Sequence, residues 1–244
     1  MATPPARVLV TRHAPEAEET ASRLRDLGFK PVISPVRRLI PLNPPPVTGV
    51  FDGLIVTSRN ALHAGVRLPE QLLARPVFCV GDRTADAARN AGFRNIVVGD
   101  GDAPALVDAI AARMPAGARL LYLAGEPRRE AIEADLARLG YRLETCLTYR
   151  MARADSLTGD AIDALRSGTL AVILHFSTES ARDCLDLAAS AGLAAEIARV
   201  WHFCLSQRVA EAVRMREIAP ARIRIAESPD QASLLALLRT HLTT

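Results

Sequence analysis

Lysine is nearly missing from this 244-residue chain: of its 30 basic residues only Lys30 is not arginine. That bias reads first as a property of the genome and only second as a surface set for carboxylates or phosphates. Against 27 acidic residues it leaves a formal charge of +3, compatible with an anionic ligand and diagnostic of none. Aromatic residues make up 4%, too few for a nucleic-acid binder that works by stacking bases. The four cysteines, Cys79, Cys146, Cys184 and Cys204, are scattered and form no C-x-x-C. The five histidines have no paired spacing, so neither a structural metal nor a disulfide framework is expected. No apolar run approaches the ~20 residues that span a bilayer, and the amino terminus lacks the apolar stretch of a signal peptide. The expected location is the cytoplasm. No G-x-G-x-x-G or G-x-x-x-x-G-K-[ST] follows a strand, which argues against a dinucleotide cofactor and a P-loop.

What the chain has is a hydrophobic share of 49%, enough for real cores in one large or two modest domains. It also has an internal repeat. Residues 6–38 align without gaps to residues 118–150, and nine of the 33 positions are identical, where composition alone gives roughly three. Each copy reads as a short apolar strand, a polar loop, a helix with leucines at helical spacing, a glycine stop (Gly28, Gly140) and a second extended stretch. The likeness continues between residues 51–62 and 171–181, and between 77–110 and 202–238. Strands alternating with helices of this length predict parallel sheets flanked by helices, so two similar α/β domains are expected. Ser34–Pro46 is proline-rich and extended, and its counterpart Thr145–Asp155 also reads as extended. These are either paired crossings between domains, or the break lies near Met114–Gly117.

Ligands of open parallel sheets sit beyond the carboxyl ends of the strands, where loops and helix amino termini offer N–H groups. The candidates there are Arg12, Thr57, Ser58, Asn60, Gly81, Thr84, Gly125, Ser177, Thr178 and Arg208. Any one of the polar residues is an ordinary helix cap, contributing about 0.5–2 kcal/mol. Their convergence on six strand ends, three in each half, is what suits a polyanion. His175 and His202 sit in apolar strands and read as core residues. Tyr149 is a strand residue whose phenol wants a partner, and nothing local marks it as catalytic.

The order of short motifs over Arg7 to about Leu238 resembles the uroporphyrinogen-III synthase family. The motifs are Val8-Leu9-Val10-Thr11-Arg12, Asp52 to Ala61 with Thr57-Ser58-Arg59-Asn60, and Val80-Gly81-Asp82-Arg83-Thr84-Ala85. Gly125 and Arg129, Gly140, Tyr149-Arg150, Phe176-Ser177 and Glu227-Ser228-Pro229 complete the series. The resemblance implies two α/β domains, 1–36 plus 152–244 and 39–149, joined by a two-stranded β-ladder. It implies cofactor-free closure of hydroxymethylbilane, a linear tetrapyrrole with eight carboxylates, to uroporphyrinogen III through a spiro intermediate that inverts ring D. Tyr149 matches the tyrosine proposed in the family to assist departure of the substrate hydroxyl. Arg129 joins the expected substrate contacts. A monomer is implied, with a transient hand-over from hydroxymethylbilane synthase and no nucleic-acid or membrane partner. The chain departs from the pattern at His13, at Glu179 and in Leu205-Ser206-Gln207-Arg208-Val209-Ala210, where a glycine and a threonine are missing. The rival readings are a non-catalytic two-domain module for small anions and a transcriptional regulator. The helix predicted at Thr84–Gly92 lacks a basic face for the latter.

Overall fold

The computed structural model describes residues 5–99, 101–126, 128 and 130–242. The chain begins β1 (Arg7–Val10), α1 (Glu16–Asp26), β2 (Lys30–Ile33) and β3 (Arg37–Pro41). It continues β4 (Gly53–Val56), α2 (Arg59–His63), β5 (Pro76–Cys79), α3 (Asp82–Asn90), β6 (Asn95–Val98) and α4 (Ala103–Ala111). Next come β7 (Arg119–Glu126), α5 (Glu130–Arg138), β8 (Arg142–Arg153) and α6 (Gly159–Arg166). The last part is β9 (Leu170–His175), α7 (Thr178–Ser190), α8 (Ala194–Arg199), β10 (Trp201–Cys204), α9 (Gln207–Arg214), β11 (Ile223–Ile225) and α10 (Gln231–Leu242).

Contacts divide the chain into two units. Unit 1 runs through Arg38 and resumes at Ala152; unit 2 is Leu39–Met151. Unit 1 holds a five-stranded sheet of order β11-β10-β9-β1-β2, and the other sheet has order β3-β8-β7-β4-β5-β6. The repeat explains the likeness. β1 and β2 pair in parallel from Arg7↔Lys30, and β7 and β8 from Arg119↔Arg142, the same register displaced by one repeat. Read outward from the shared βαβ unit, β9, β10 and β11 take the places of β4, β5 and β6. Only the order along the chain differs, because the βαβ pair comes first in unit 1 and last in unit 2.

Both copies of the first helix end in the same way. Phe29 N–H donates to Leu24 O and Gly28 N–H to Arg25 O, while Tyr141 and Gly140 repeat this on Leu136 and Ala137. That closure needs a left-handed residue after the helix, and Gly28 and Gly140 supply it at φ +83° and +81°.

The strands are apolar on both faces, as strands covered on both sides must be. In unit 1, Leu9 and Ile173 pack with α6, α7, α8 and α9, while Val8, Val10, Val172 and Leu174 pack with α1 and α10. In unit 2, Leu54, Val56, Leu121 and Leu123 face α2 and α3, and Ile55, Leu120 and Tyr122 face α4 and α5. At ~25 cal/mol per Å² of buried apolar surface, these cores are the main source of stability for each unit.

The two extended crossings expected to form the two-stranded ladder are β3 and the far end of β8. Ala154 N–H donates to Val36 O and Leu42 N–H to Thr148 O, so the strands run antiparallel. β3 thereby continues the second sheet as its outer strand. Among the described residues no helix is long and apolar enough to cross a membrane.

Candidate active site

Each sheet reverses its strand order once, between β4 and β7 in unit 2 and between β1 and β9 in unit 1. The crevice outside the carboxyl ends at such a reversal is where open α/β sheets hold ligands. The candidates fall on these two rims.

On the rim of unit 2, Thr57 and Ser58 follow β4, Gly81 follows β5, and Gly125 lies near the end of β7. Ser58 is the N-cap of α2, its Oγ accepting from Asn60 N at 3.3 Å. Gly81 is the extended residue before α3. Thr84, one turn on, is turned inward and buried, whereas Thr57 is half-buried. Arg129 lies outside the described residues.

Tyr149 is aimed by a bulge. Leu147 is in register with Ala124 and Tyr149 with Gly125, so Thr148 is an extra residue in the pairing. Before it, Leu143 and Leu147 face the α4–α5 side; after it, Tyr149 and Met151 face the α2–α3 side. Thr148 is fully buried and its Oγ1 donates to Ala124 O at 3.3 Å, which pins the bulge. Bulges recur beside active sites because one inserted residue re-aims the next side chain. The Tyr149 ring then lies flat against the backbone of Gly125. A Cβ there would meet Cζ, Cε1 and Cε2 of the ring, all within 2.6 Å. Glycine at 125 is thus a steric requirement of the tyrosine. The ring is 8% exposed, and its hydroxyl makes no hydrogen bond among the described residues.

The sequence reading missed Tyr122. It is 1% exposed on β7, and its hydroxyl lies 3.1 Å from Thr57 Oγ1. A phenol inside the apolar run Leu120-Leu121-Tyr122-Leu123 was the available signal, since a buried hydroxyl needs a partner.

The rim of unit 1 is built differently. The Arg12 guanidinium donates to Gln231 at 3.2 Å and Thr20 at 3.5 Å and lies 4.3 Å from the Phe176 ring centroid. Ser177 caps α7: its Oγ accepts from Ser180 N–H and donates to Ser180 Oγ. Thr178, the first residue of α7, is half-buried, and Arg208 is exposed in the first turn of α9. Glu179 faces Arg37 at 3.4 Å and Arg182 at 3.7 Å, so the acid on this rim is held by arginines.

Behind this rim, His175 and His202 stack with ring centroids 5.2 Å apart. His202 Nε2–H donates to Ile197 O at 3.0 Å, which makes His202 Nδ1 an acceptor for His175 Nε2–H at 2.9 Å. His175 Nδ1 is then a buried acceptor with no partner. Burial pushes both rings toward the neutral form, His202 down to about 4 and His175 well below the ordinary 6.5, the latter also through the neighbouring His202. The pair reads as core, with one acceptor left over. Burial likewise raises Cys79 to about 11 and Cys184 and Cys204 to about 12, so none of the three is a thiolate nucleophile. Among the described residues no three metal-ligating side chains gather.

The model of the family described as uroporphyrinogen-III synthase HemD matches residues 18–236. Two solved structures share the fold over nearly the whole of both chains. A uroporphyrinogen-III synthetase from Helicobacter pylori is 18% identical with a TM-score of 0.63, covering 97% of this chain and 99% of that one. A variant of uroporphyrinogen III synthase from the extremely thermophilic bacterium Thermus thermophilus is 20% identical with a TM-score of 0.55, covering 98% and 99%. No curated protein matches the chain at significance. With the family model spanning most of the sequence and the fold agreeing, the chain belongs to the uroporphyrinogen-III synthase family.

Proposed function

We propose that Tyr149 is the acid that helps the hydroxyl of hydroxymethylbilane depart, and that the strand-end rims hold the substrate carboxylates. The activity itself follows from the family: the chain closes hydroxymethylbilane to uroporphyrinogen III, a step of haem and tetrapyrrole biosynthesis. Loss of the hydroxyl as water leaves an azafulvene whose cation the pyrrole nitrogens stabilise. The substituted carbon of ring D attacks it, and the spiro intermediate fragments and recloses with that ring inverted. Pyrrole chemistry carries the charges, so the protein is asked for a proton, a fold of the chain and a dry site.

A single observation supports the tyrosine. Its ring is fixed by the bulge at Thr148 and the bare backbone of Gly125, while its hydroxyl is spent on no other protein group described. A positioned acid of this kind is worth about 10²–10⁴ in rate. Thr57, Ser58, Asn60, Gly81, Thr84, Gly125 and Arg129 in unit 2, with Arg12, Ser177, Thr178 and Arg208 in unit 1, are the proposed substrate contacts. The two units are the proposed domains, 1–36 with 152–244 and 39–149. A monomer in the cytoplasm, receiving substrate by transient hand-over from hydroxymethylbilane synthase, completes the reading. The test is a coupled assay that supplies fresh hydroxymethylbilane and separates the oxidised uroporphyrin isomers. Protein-dependent formation of the type III isomer is expected; type I alone, the product of unassisted closure, would overturn the reading in favour of a binding module.

A further inference from the structure

The pair Thr57–Tyr122 sits at the strand reversal of unit 2, and the equivalent place in unit 1 carries no such pair. β4 and β7 place Ile55 opposite Tyr122, and β9 and β1 place Leu174 opposite Val10. By that register Thr57 corresponds to Phe176, and Tyr122 to Val10. Both hydroxyls of unit 2 are therefore replaced by hydrocarbon at the equivalent places in unit 1.

Tyr122 and Ile55 face the α4–α5 side of the sheet, and Thr57, two residues beyond Ile55, reaches back to the same side. The phenol is sealed from solvent while Thr57 stands half-buried at the rim. We infer that Tyr122 is a positioning residue, fixing the Thr57 hydroxyl so that it presents its proton to a substrate carboxylate. The phenol is far the more acidic of the two hydroxyls, so it is the better donor in their bond. When Tyr122 donates, Thr57 Oγ1 accepts and its own hydrogen points elsewhere; a hydroxyl that is already accepting is also a stronger donor. The β4–β7 ladder fixes the distance, so the threonine rotor is set before substrate arrives and less ordering remains to be done on binding. The effect belongs to binding, not to the chemical step.

This inference rests on reading Thr57 as a substrate contact, and a double-mutant cycle separates the two. Thr57→Val, Tyr122→Phe and the double variant are compared for KM and kcat with hydroxymethylbilane. The expected result is a KM raised about 3–10-fold in each single variant, no further rise in the double variant, and kcat within about twofold of the parent. A raised KM for Thr57→Val with an unaltered KM for Tyr122→Phe would overturn the inference and leave the site reading intact. An unaltered KM for Thr57→Val would remove both. Additive losses in the double variant, or a fall in kcat alone for Tyr122→Phe, would show the phenol acting independently of Thr57 and also overturn it. Tyr122→Met, which fills the site without a hydroxyl, replaces the phenylalanine variant if that variant does not fold.

Discussion

The two units descend from one pattern, and their rims are built differently. Displaced by the repeat, Gly125 and Tyr149 of unit 2 stand where unit 1 has His13 and Arg37. In unit 2 the pair puts a ring flat on a bare backbone. In unit 1 His13 faces Glu16 at 3.1 Å, and Arg37 is bound to Asp183 at 2.5 Å. Arg12, Glu179 and Ser177 are likewise engaged with their own unit. A rim whose polar groups satisfy one another is a stable platform; chemistry needs a group held in place yet unspent. Duplication supplied two rims, and substitutions at these two repeat positions left a fixed, unspent phenol on only one of them among the described residues.

Gly125→Ala should have the largest effect. The added methyl must displace the Tyr149 ring, so turnover should fall by at least the ~10²-fold of a lost acid, and overpacking should cost about 1–3 kcal/mol of stability. Type III formation and the thermal midpoint measure the two. Near-parent turnover would show that the ring position is irrelevant. Tyr149→Phe should lower kcat by roughly 10²–10⁴ with the fold intact. At the equivalent position of unit 1, Arg37→Gln removes the nearer of two arginines on Asp183, leaving Arg153 at 3.7 Å, and should cost about 1–3 kcal/mol and spare kcat. Equal kinetic losses at both positions would erase the distinction between the rims.

Stability should also depend on pH. The folded-state pKa values of His175 and His202 lie below 6.5, so as pH falls the unfolded chain takes up protons first. The stability of unit 1 is then complete above pH 6.5 and declines between there and about 4, by about 1.4 kcal/mol per pH unit for each histidine. Urea unfolding at pH 7.5 and 5.5, followed through Trp201, the single tryptophan, reads unit 1 directly. An unchanged midpoint would mean the pair is not kept neutral. The smallest effect is expected from Arg208→Ala, a KM raised about 2–5-fold as befits an exposed ion pair, shrinking as salt is added.

Much of this was legible in the sequence because repeated apolar periodicity encodes strands and helices, and the gapless repeat transferred one sheet order to the other. The bulge was not. Leu143, Thr145, Leu147 and Tyr149 alternate without interruption, which places all four on one face. Only the pairing, with Thr148 set aside, shows the tyrosine on the other. Nor could sequence show that the ladder of β3 on β8 also carries β3 onto the edge of a sheet, since an extended segment does not name its neighbour. The histidine pair arises diagonally across β9 and β10, each ring opposite an apolar residue. No local pattern announces such a meeting.

The different placing of the βαβ pair in the two units has a consequence during synthesis. Unit 2 is one continuous stretch, so the strands of its sheet emerge from the ribosome in a single passage. Unit 1 starts first and finishes last, because β1 and β2 cannot find β9 until the 113 residues of Leu39–Met151 have been made. At ~5–20 residues per second that delay is roughly 6–23 s. Through that interval the apolar faces of β1 and α1 stay without their neighbours, the time when a nascent chain most needs a chaperone's cover.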